Sequence, residues 1–280
     1  MDDKIFTVKK ISGDLEPFSE QKLKESLKNS GASTQEIQTI VKSISPMIYD
    51  GISSDVIYGK AFFLLKKLNE ISASKYSLKR AIFDLGPTGY PFEKLVGALL
   101  KTKGFKTKVG VTLEGECVTH EIDVLAEKGG NTYAIECKFH SDAKAVDNIK
   151  VPLYINSRFL DIQKQWNSDA KNKTNLKQGW LVTNTRFTKD AIDYGRCIGL
   201  RMLAWDYPKN NGISKNIDKF GLYPITVLTS LLKNEKLHLI KNDIILVKEI
   251  IEKQTFLENM DITHQRRLKI IEEAEKLCNT

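Results

Sequence analysis

Apolar residues in the first third of the chain recur at helical spacing. Leu23 and Leu27 lie four apart behind Ser19, a suitable N-cap, which predicts a helix to about Ser30 that Gly31 ends. A second helix is expected from about Thr34 to Ser45, where Pro46 follows. A third begins near Ser53 or Ser54 and carries Val56, Ile57, Phe63, Leu64 and Leu68. A fourth spans about Ser74 to Leu85. Ahead of them Ile5-Phe6-Thr7-Val8 reads as a short strand, with a turn at Gly13.

Gly86-Pro87-Thr88-Gly89-Tyr90-Pro91 interrupts this order and predicts a boundary. The pattern then changes. Phe92 to Lys103 is an amphipathic helix ended by Gly104, followed by strands near Lys106–Thr112, His120–Ala126 and Thr132–His140. A helix around Val151–Trp166, a strand at Gly179–Thr183, a helix at Thr188–Ile198 and a strand at Leu200–Trp205 complete the series. Such alternation predicts an α/β core with a central mixed sheet. After Pro208-Lys209-Asn210-Asn211-Gly212 the chain reads as short helices, ending in a charged one from about His264 to Leu277. The expected organisation is an α+β multi-domain chain: a helical unit at 1–87, the α/β core at 88–208 and a small helical segment at 209–280.

Composition narrows the class. Hydrophobic residues are 41% and charged residues 28% of the 280, as in a soluble globular protein. The longest apolar runs, such as Ile244-Ile245-Leu246-Val247, are far too short to cross a bilayer, and the polar start Met1-Asp2-Asp3-Lys4 lacks the apolar stretch of a secretory signal. Cys117, Cys137, Cys197 and Cys278 are dispersed without a CxxC pair. This fits reduced thiols in a cytoplasm and argues against a structural zinc site. The net charge of +8 suits a polyanionic partner such as DNA.

The chemistry concentrates in His120-Glu121-Ile122-Asp123-Val124-Leu125, a Gly129-Gly130 turn, and Tyr133-Ala134-Ile135-Glu136-Cys137-Lys138-Phe139-His140. Two β runs joined by a short glycine loop predict a hairpin. Alternation puts Ile122 and Val124 on one face and Glu121 and Asp123 on the other. On the second strand Ala134, Glu136, Lys138 and His140 share a face, opposite Tyr133, Ile135, Cys137 and Phe139. Carboxylates of this kind can hold Mg2+ or Mn2+ through hard oxygen ligands, and the metal polarises a phosphate and acidifies a bound water. A neighbouring lysine can orient that water or stabilise growing negative charge. Asp123, Glu136 and Lys138 supply those roles, and Glu93 on the upstream helix can add a carboxylate. Cys137 is expected as a buried thiol, His140 as a substrate or structural contact, and Arg158 as a surface cation with phosphate contact as the alternative.

Asp123, twelve residues, then Glu136-Cys137-Lys138 resembles the PD-(D/E)xK nuclease superfamily, and more narrowly the Mrr-like restriction endonuclease family. Pro91-Phe92-Glu93-Lys94-Leu95-Val96 with Gly104-Phe105 is similar to that family's opening helix, whose Glu often joins the metal site. Gly179-Trp180-Leu181-Val182-Thr183-Asn184 and Phe187-Thr188-Lys189-Asp190-Ala191 are similar to its later strand and helix. The resemblance covers about 115 residues and implies a Mg2+-dependent DNA endonuclease with Glu93, Asp123 and Glu136 on the metal. Glu136 stands where Mrr relatives often have Gln.

The N-terminal unit places cations beside a turn and a helix start, in Val8-Lys9-Lys10-Ile11-Ser12-Gly13, Glu16, Phe18, Ser19 and Lys22-Leu23. Ammonium charge and free helix N–H groups there can bind phosphate. With Tyr49-Asp50-Gly51-Ile52-Ser53-Ser54, Tyr76 and Arg80-Ala81-Ile82-Phe83, the segment resembles the ATP-cone, a nucleotide-sensing module best known from ribonucleotide reductases. The resemblance implies that Val8, Lys10, Ser19, Lys22 and one of Ser53 or Ser54 contact ATP or dATP. Ile11 stands where a second cation is usual. No GxxxxGK[ST] loop is present, so the nucleotide is expected to regulate and need not be hydrolysed.

In the last segment, Leu257-Glu258-Asn259-Met260-Asp261-Ile262-Thr263 and Gln265-Arg266-Arg267-Leu268-Lys269 fit a DNA-gripping helical hairpin or a packing or oligomerisation role. The acidic run Glu272-Glu273-Ala274-Glu275 would repel phosphate and weighs toward packing or oligomerisation. The expectation is a nucleotide-regulated DNA endonuclease, with restriction or defence suggested by the resemblance and a homo-oligomer suggested by double-strand cutting. The alternative is a non-catalytic, nucleotide-responsive DNA-binding regulator on the same scaffold. A zinc-ribbon transcriptional regulator is disfavoured by the missing cysteine pairs.

Overall fold

The computed structural model describes residues 6–10 and 13–279. Ile5 of the expected first strand, and Ile11 and Ser12 of the basic turn, lie outside the described residues.

The N-terminal unit is built on a three-stranded sheet. Its central strand β1 (Thr7–Lys9) pairs antiparallel with β2 (Leu15–Pro17) and parallel with β3 (Ile52–Ser53). Ser19 caps α1 (Glu20–Asn29) by accepting the Lys22 N–H. Ser33 and Glu36 form a reciprocal capping box on α2 (Thr34–Ile44). Ser53 caps α3 (Ser54–Leu68), and α4 (Glu70–Tyr76) and α5 (Leu78–Phe83) follow. The single helix expected at 74–85 is thus divided. Asn69 caps a fresh start at Glu70, and at Ser77, between α4 and α5, the hydroxyl donates to the Ser74 carbonyl, competing with the helical ladder. Leu23, Leu27, Ile40, Ile44, Ile52, Ala61 and Leu65 make this unit's own core.

The second layer starts with α6 (Tyr90–Thr102). The meander β4 (Lys106–Glu114), β5 (Thr119–Lys128) and β6 (Asn131–Lys138) follows. The pair β7 (Val146–Asp147) and β9 (Arg186–Phe187) flanks α7 (Lys150–Ser168) and β8 (Asn175–Thr183), and α8 (Lys189–Cys197) leads to β10 (Arg201–Leu203). The five-stranded sheet has the order β10-β8-β6-β5-β4. It is antiparallel from β4 to β6 and parallel from β6 to β10, so it is the mixed sheet expected. The parallel steps cross over through α7 and α8, as parallel neighbours require. α6 covers one face through Leu95 and Leu99, which join Val124, Ile135, Cys137 and Val182. α7 covers the other through Ile155 and Ile162, against Leu181, Ala134 and Leu176.

The C-terminal helices are α9 (Ile213–Phe220), α10 (Lys233–Lys241), α11 (Val247–Glu252), α12 (Thr255–Glu258) and α13 (His264–Cys278). They extend the core on the α6 side. Ile217, Tyr223, Ile245, Leu257, Ile270 and Leu277 share one cluster with α6 and with Leu78, Ala81 and Ile82 of α5. Leu257 and Ile262 are buried there. The same region joins the N-terminal unit by polar bonds. The buried Glu273 carboxylate accepts from Ser74 Oγ and from the backbone N–H groups of Thr229 and Ser230, and Thr226 Oγ1 donates to the Ala81 carbonyl. No helix among the described residues is long and apolar enough to cross a membrane.

Candidate active site

The β5–β6 hairpin turns through Gly129 and Gly130, whose φ values of 59° and 73° are the left-handed pair that a two-residue hairpin needs. Pairing of Val124 with Ile135 and of Leu125 with Ala134 sets the register, and the parallel pairing of Glu136 with Leu181 puts Glu136 on the α7 side. Strict alternation fails at Asp123. Ile122 packs with Ala134 and Ile162, whereas Val124 packs with Ile135 and Cys137 on the other side of the sheet. The β4–β5 ladder skips Gly110 and Asp123, and the β5–β6 ladder begins at Val124. Gly110 has φ 65°, a conformation that glycine adopts freely. Asp123 therefore sits at a break in both ladders, and its carboxylate, not its backbone, accepts the Cys137 N–H at 2.6 Å.

Glu136 is 8% exposed, and both its oxygens carry a cation. Lys138 Nζ lies 2.9 Å from Oε1 and Arg158 Nη1 lies 2.7 Å from Oε2. Arg158 also donates to the Glu121 carbonyl. The surface position expected for Arg158 is thus corrected: α7 lays it across the hairpin. No motif in the sequence points to it, because the contact joins residues 22 apart across the sheet.

Glu93 reaches the same place from α6. Phe92 packs against Phe139 with the rings tilted at 42° and their centroids 5.9 Å apart, which fixes the start of α6 at the exit of β6. A methyl group on Gly89 would lie 3.3 Å from Glu93 Oε1 and 3.8 Å from Phe139 Cβ. Burial, followed by the charges of Asp123, Glu121 and Glu136, pushes the Glu93 carboxyl up to about 7. Burial and Glu136 push Asp123 up to about 6, against the opposing pull of the Cys137 N–H, Lys138 and Arg158. Cys137 is the buried thiol expected, raised by burial and then by Asp123. His140 makes structural contacts: its ring bonds Asp147 at 2.9 Å and its backbone exchanges hydrogen bonds with the Asn184 side chain.

The carboxylates Glu93, Asp123 and Glu136 offer hard oxygen donors near one another beside a lysine, and Glu93 and Asp123 are held above the ordinary carboxyl range. This donor set fits a divalent cation of the Mg2+ type. They are not drawn within 4.8 Å of one another. Among the described residues that closeness occurs at Glu116, Cys117 and Asp161. There the Asp161 carboxylate accepts from the Cys117 and Val118 N–H groups and meets the His120 ring at 2.7 Å, closing the β4–β5 turn.

In the N-terminal unit, Val8, Lys10, Ser19, Lys22 and Ser54 line one hollow of about 260 Å³ with Phe18, Tyr58 and Tyr76. Lys10 and Lys22 both hold Glu16, at 3.2 and 3.4 Å. Ser53 is engaged as the α3 cap, accepting the Asp55 N–H.

A restriction endonuclease family model matches residues 87–154, and an AF1548-like C-terminal model matches residues 223–278. An uncharacterized protein of Archaeoglobus fulgidus is 34% identical over 181 residues, which is 64% of this chain and 97% of the relative. The chain belongs to the AF1548-like family. A crystal structure titled as that of AF1548, a protein of unknown function, is 32% identical with a TM-score of 0.56, over 69% of this chain and 99% of that one. The restriction endonuclease match makes the sheet of this family member a nuclease-type core. Domains of this kind act on DNA and generally use Mg2+ or a similar divalent metal. The two family models begin beyond the N-terminal unit.

Proposed function

We propose that this family member is a metal-dependent DNA endonuclease gated by an adenine nucleotide. The observation that carries the nuclease part is the group of partly buried, mutually repelling carboxylates beside Lys138 at the exit of β6. Glu93, Asp123 and Glu136 would hold Mg2+ or Mn2+, which when bound polarises the scissile phosphate and acidifies a water. Lys138 holds Glu136 in place and presents an ammonium group to a phosphate oxygen or an attacking water. Arg158 neutralises the other Glu136 oxygen from α7. Double-strand cutting by a chain with one such site calls for two copies acting together.

The gating part rests on the resemblance of the N-terminal unit to an ATP-cone. It is supported by the gathering of Val8, Lys10, Ser19, Lys22 and Ser54 around one hollow. ATP or dATP there would act by binding two states of the protein unequally. The units of this arrangement are 1–87, 88–208 and 209–280, with nucleotide control in the first and cleavage in the second.

The test is cleavage of plasmid DNA with Mg2+ or Mn2+, with and without ATP and dATP, by the wild type and by Lys138→Ala. Metal-dependent cleavage that the variant loses supports the nuclease. Binding of DNA without cleavage under all these conditions would leave a nucleotide-responsive regulator on a nuclease scaffold. Equal cleavage with and without nucleotide removes the gating and spares the nuclease.

A further inference from the structure

A larger cavity, of about 750 Å³, lies between the N-terminal unit and the end of the nuclease sheet. Its volume is in the range of small-molecule sites. The N-terminal side contributes Lys10, Ser54, Tyr58, Lys79 and Arg80; the sheet side contributes Ser141, Lys144, Thr185, Arg186 and Trp205. Lys10, Glu16, Ser54 and Tyr58 also line the 260 Å³ hollow, so the two spaces share a wall.

The charges around this cavity are unevenly matched. Lys10 is paired with Glu16, and Arg80 with Asp55. Among the described residues, Lys79, Lys144 and Arg186 make no ion pair and no side-chain hydrogen bond. Asp14 and Asp206 line the cavity as well, and Asp206 favours the charged form of Lys79. Desolvation is the main pull that lowers the Lys79 ammonium below its usual range; Asp206 opposes it and Arg186 adds to it. Three unpaired cations from two halves of a molecule, lining one open cleft, are a recognition pattern for a multiply charged anion.

We propose that this cavity receives the polyphosphate of a nucleotide seated in the adjoining hollow, through Lys79 from one side and Lys144 and Arg186 from the other. The idea rests on the nucleotide reading above and adds to it a direct contact between the nucleotide and the nuclease half. Lys144 lies on the segment that leaves β6 just after Lys138, and Arg186 lies on β9, which pairs with β7 in that same segment. His140 ties the segment to Asn184 and Asp147. Phosphates on Lys144 and Arg186 would fasten the exit of the catalytic hairpin to the N-terminal unit.

The experiment is equilibrium binding to the full chain of three probes: ATP, adenosine and inorganic triphosphate. The variants are Lys144→Ala with Arg186→Ala, and a charge-matched control, Lys106→Ala on β4 with Lys177→Ala on β8, neither lining the cavity. Thermal melts verify folding. The cavity pair should weaken ATP and triphosphate about tenfold or more, the scale of charge-assisted hydrogen bonds lost, and leave adenosine unchanged. The control should change none of them. Unchanged ATP affinity in the cavity pair, or an equal loss in the control, overturns the shared phosphate site while the nucleotide reading survives. If ATP does not bind but triphosphate does, through Lys144 and Arg186, the nucleotide reading falls and the anion site stands. If no probe binds, both fall.

Discussion

Two regions of this molecule take carboxylates out of water, and they treat them in opposite ways. Glu273 is 3% exposed and receives Ser74 Oγ, Ser230 Oγ and the Thr229 and Ser230 N–H groups. Glu235 is also buried; burial alone would raise its carboxyl, yet the two-pronged Arg266 and the Leu232 N–H hold it below the usual range. Both stitch the C-terminal helices together. In the hairpin the balance is reversed. Asp123 has one backbone donor, Glu93 answers to three other carboxylates, and both titrate well above their ordinary values. A buried carboxylate with its donors supplied is a structural bond. On the proposed reading, one left short of positive charge, beside others like it, is prepared for a cation.

The sharpest way to break the comparison is at the hairpin. Lys138→Ala removes the ammonium group next to Glu136 and should lower metal-dependent DNA cleavage by about a hundred- to a thousandfold, the usual effect of losing one charge-stabilising donor. The melting temperature should stay near that of the wild type, since the lysine is partly exposed. A variant that cleaves at the wild-type rate would mean that the carboxylates serve something other than phosphodiester hydrolysis.

Much of this contrast was readable along the chain. The Gly129-Gly130 turn and the spacing of Asp123, Glu136 and Lys138 locate the charged hairpin, because a two-residue loop fixes the register and the register fixes the face. Glu93 was readable from its helix. What was not readable came from tertiary contact. Arg158 reaches Glu136 across the sheet, and the break in alternation at Asp123 depends on Gly110 of the neighbouring strand. The acidic run at Glu272–Glu275 speaks against a phosphate contact, but the pattern does not say which acid is buried; Glu273 is 3% exposed because its donors come from Ser74 and from Thr229 and Ser230, far away in sequence. Local pattern carries periodicity and turns; it does not carry which distant donor will meet an acid.

The structural side is broken by Glu273→Ala. It would leave the Thr229 and Ser230 N–H groups and the Ser74 hydroxyl without their acceptor in a closed space. The cost should be about 2–3 kcal/mol, read as a lower midpoint in denaturant at unchanged slope. Glu273→Gln, which keeps one acceptor oxygen, should lose less. If both variants unfold at the wild-type midpoint, the bracket between the N-terminal unit and the C-terminal helices contributes nothing to stability.

Asp123→Asn should act in the other direction. The amide oxygen can still accept the Cys137 N–H, while the repulsion with Glu136 and Glu93 disappears. Without divalent metal at neutral pH, the variant should be more stable than the wild type by about 1 kcal/mol, after allowance for solvent screening of a partly exposed group. Mg2+ or Mn2+ should raise the wild-type melting temperature and leave the variant's nearly unmoved. A destabilised variant would place Asp123 with Glu273 among the structural acids, and the distinction between the two regions would collapse.

The smallest effect is the pH dependence of the metal-free protein, and its sign follows from the same two groups. Glu93 at about 7 and Asp123 at about 6 both lie above ordinary carboxyls, so between roughly pH 4 and 7 the folded chain holds protons that the unfolded chain has released. Their contribution to stability is therefore complete below the ordinary carboxyl range and is lost as the pH rises through 6 and 7. Metal-free wild type should drift down in stability across that interval relative to Asp123→Asn, whose curve should be flatter. Saturating Mg2+ should reverse the drift, because the cation binds the deprotonated carboxylates and gains affinity where the protons leave. A wild-type curve that rises in parallel with the variant's across the interval, with or without metal, would show that the hairpin acids are ordinary surface charges after all.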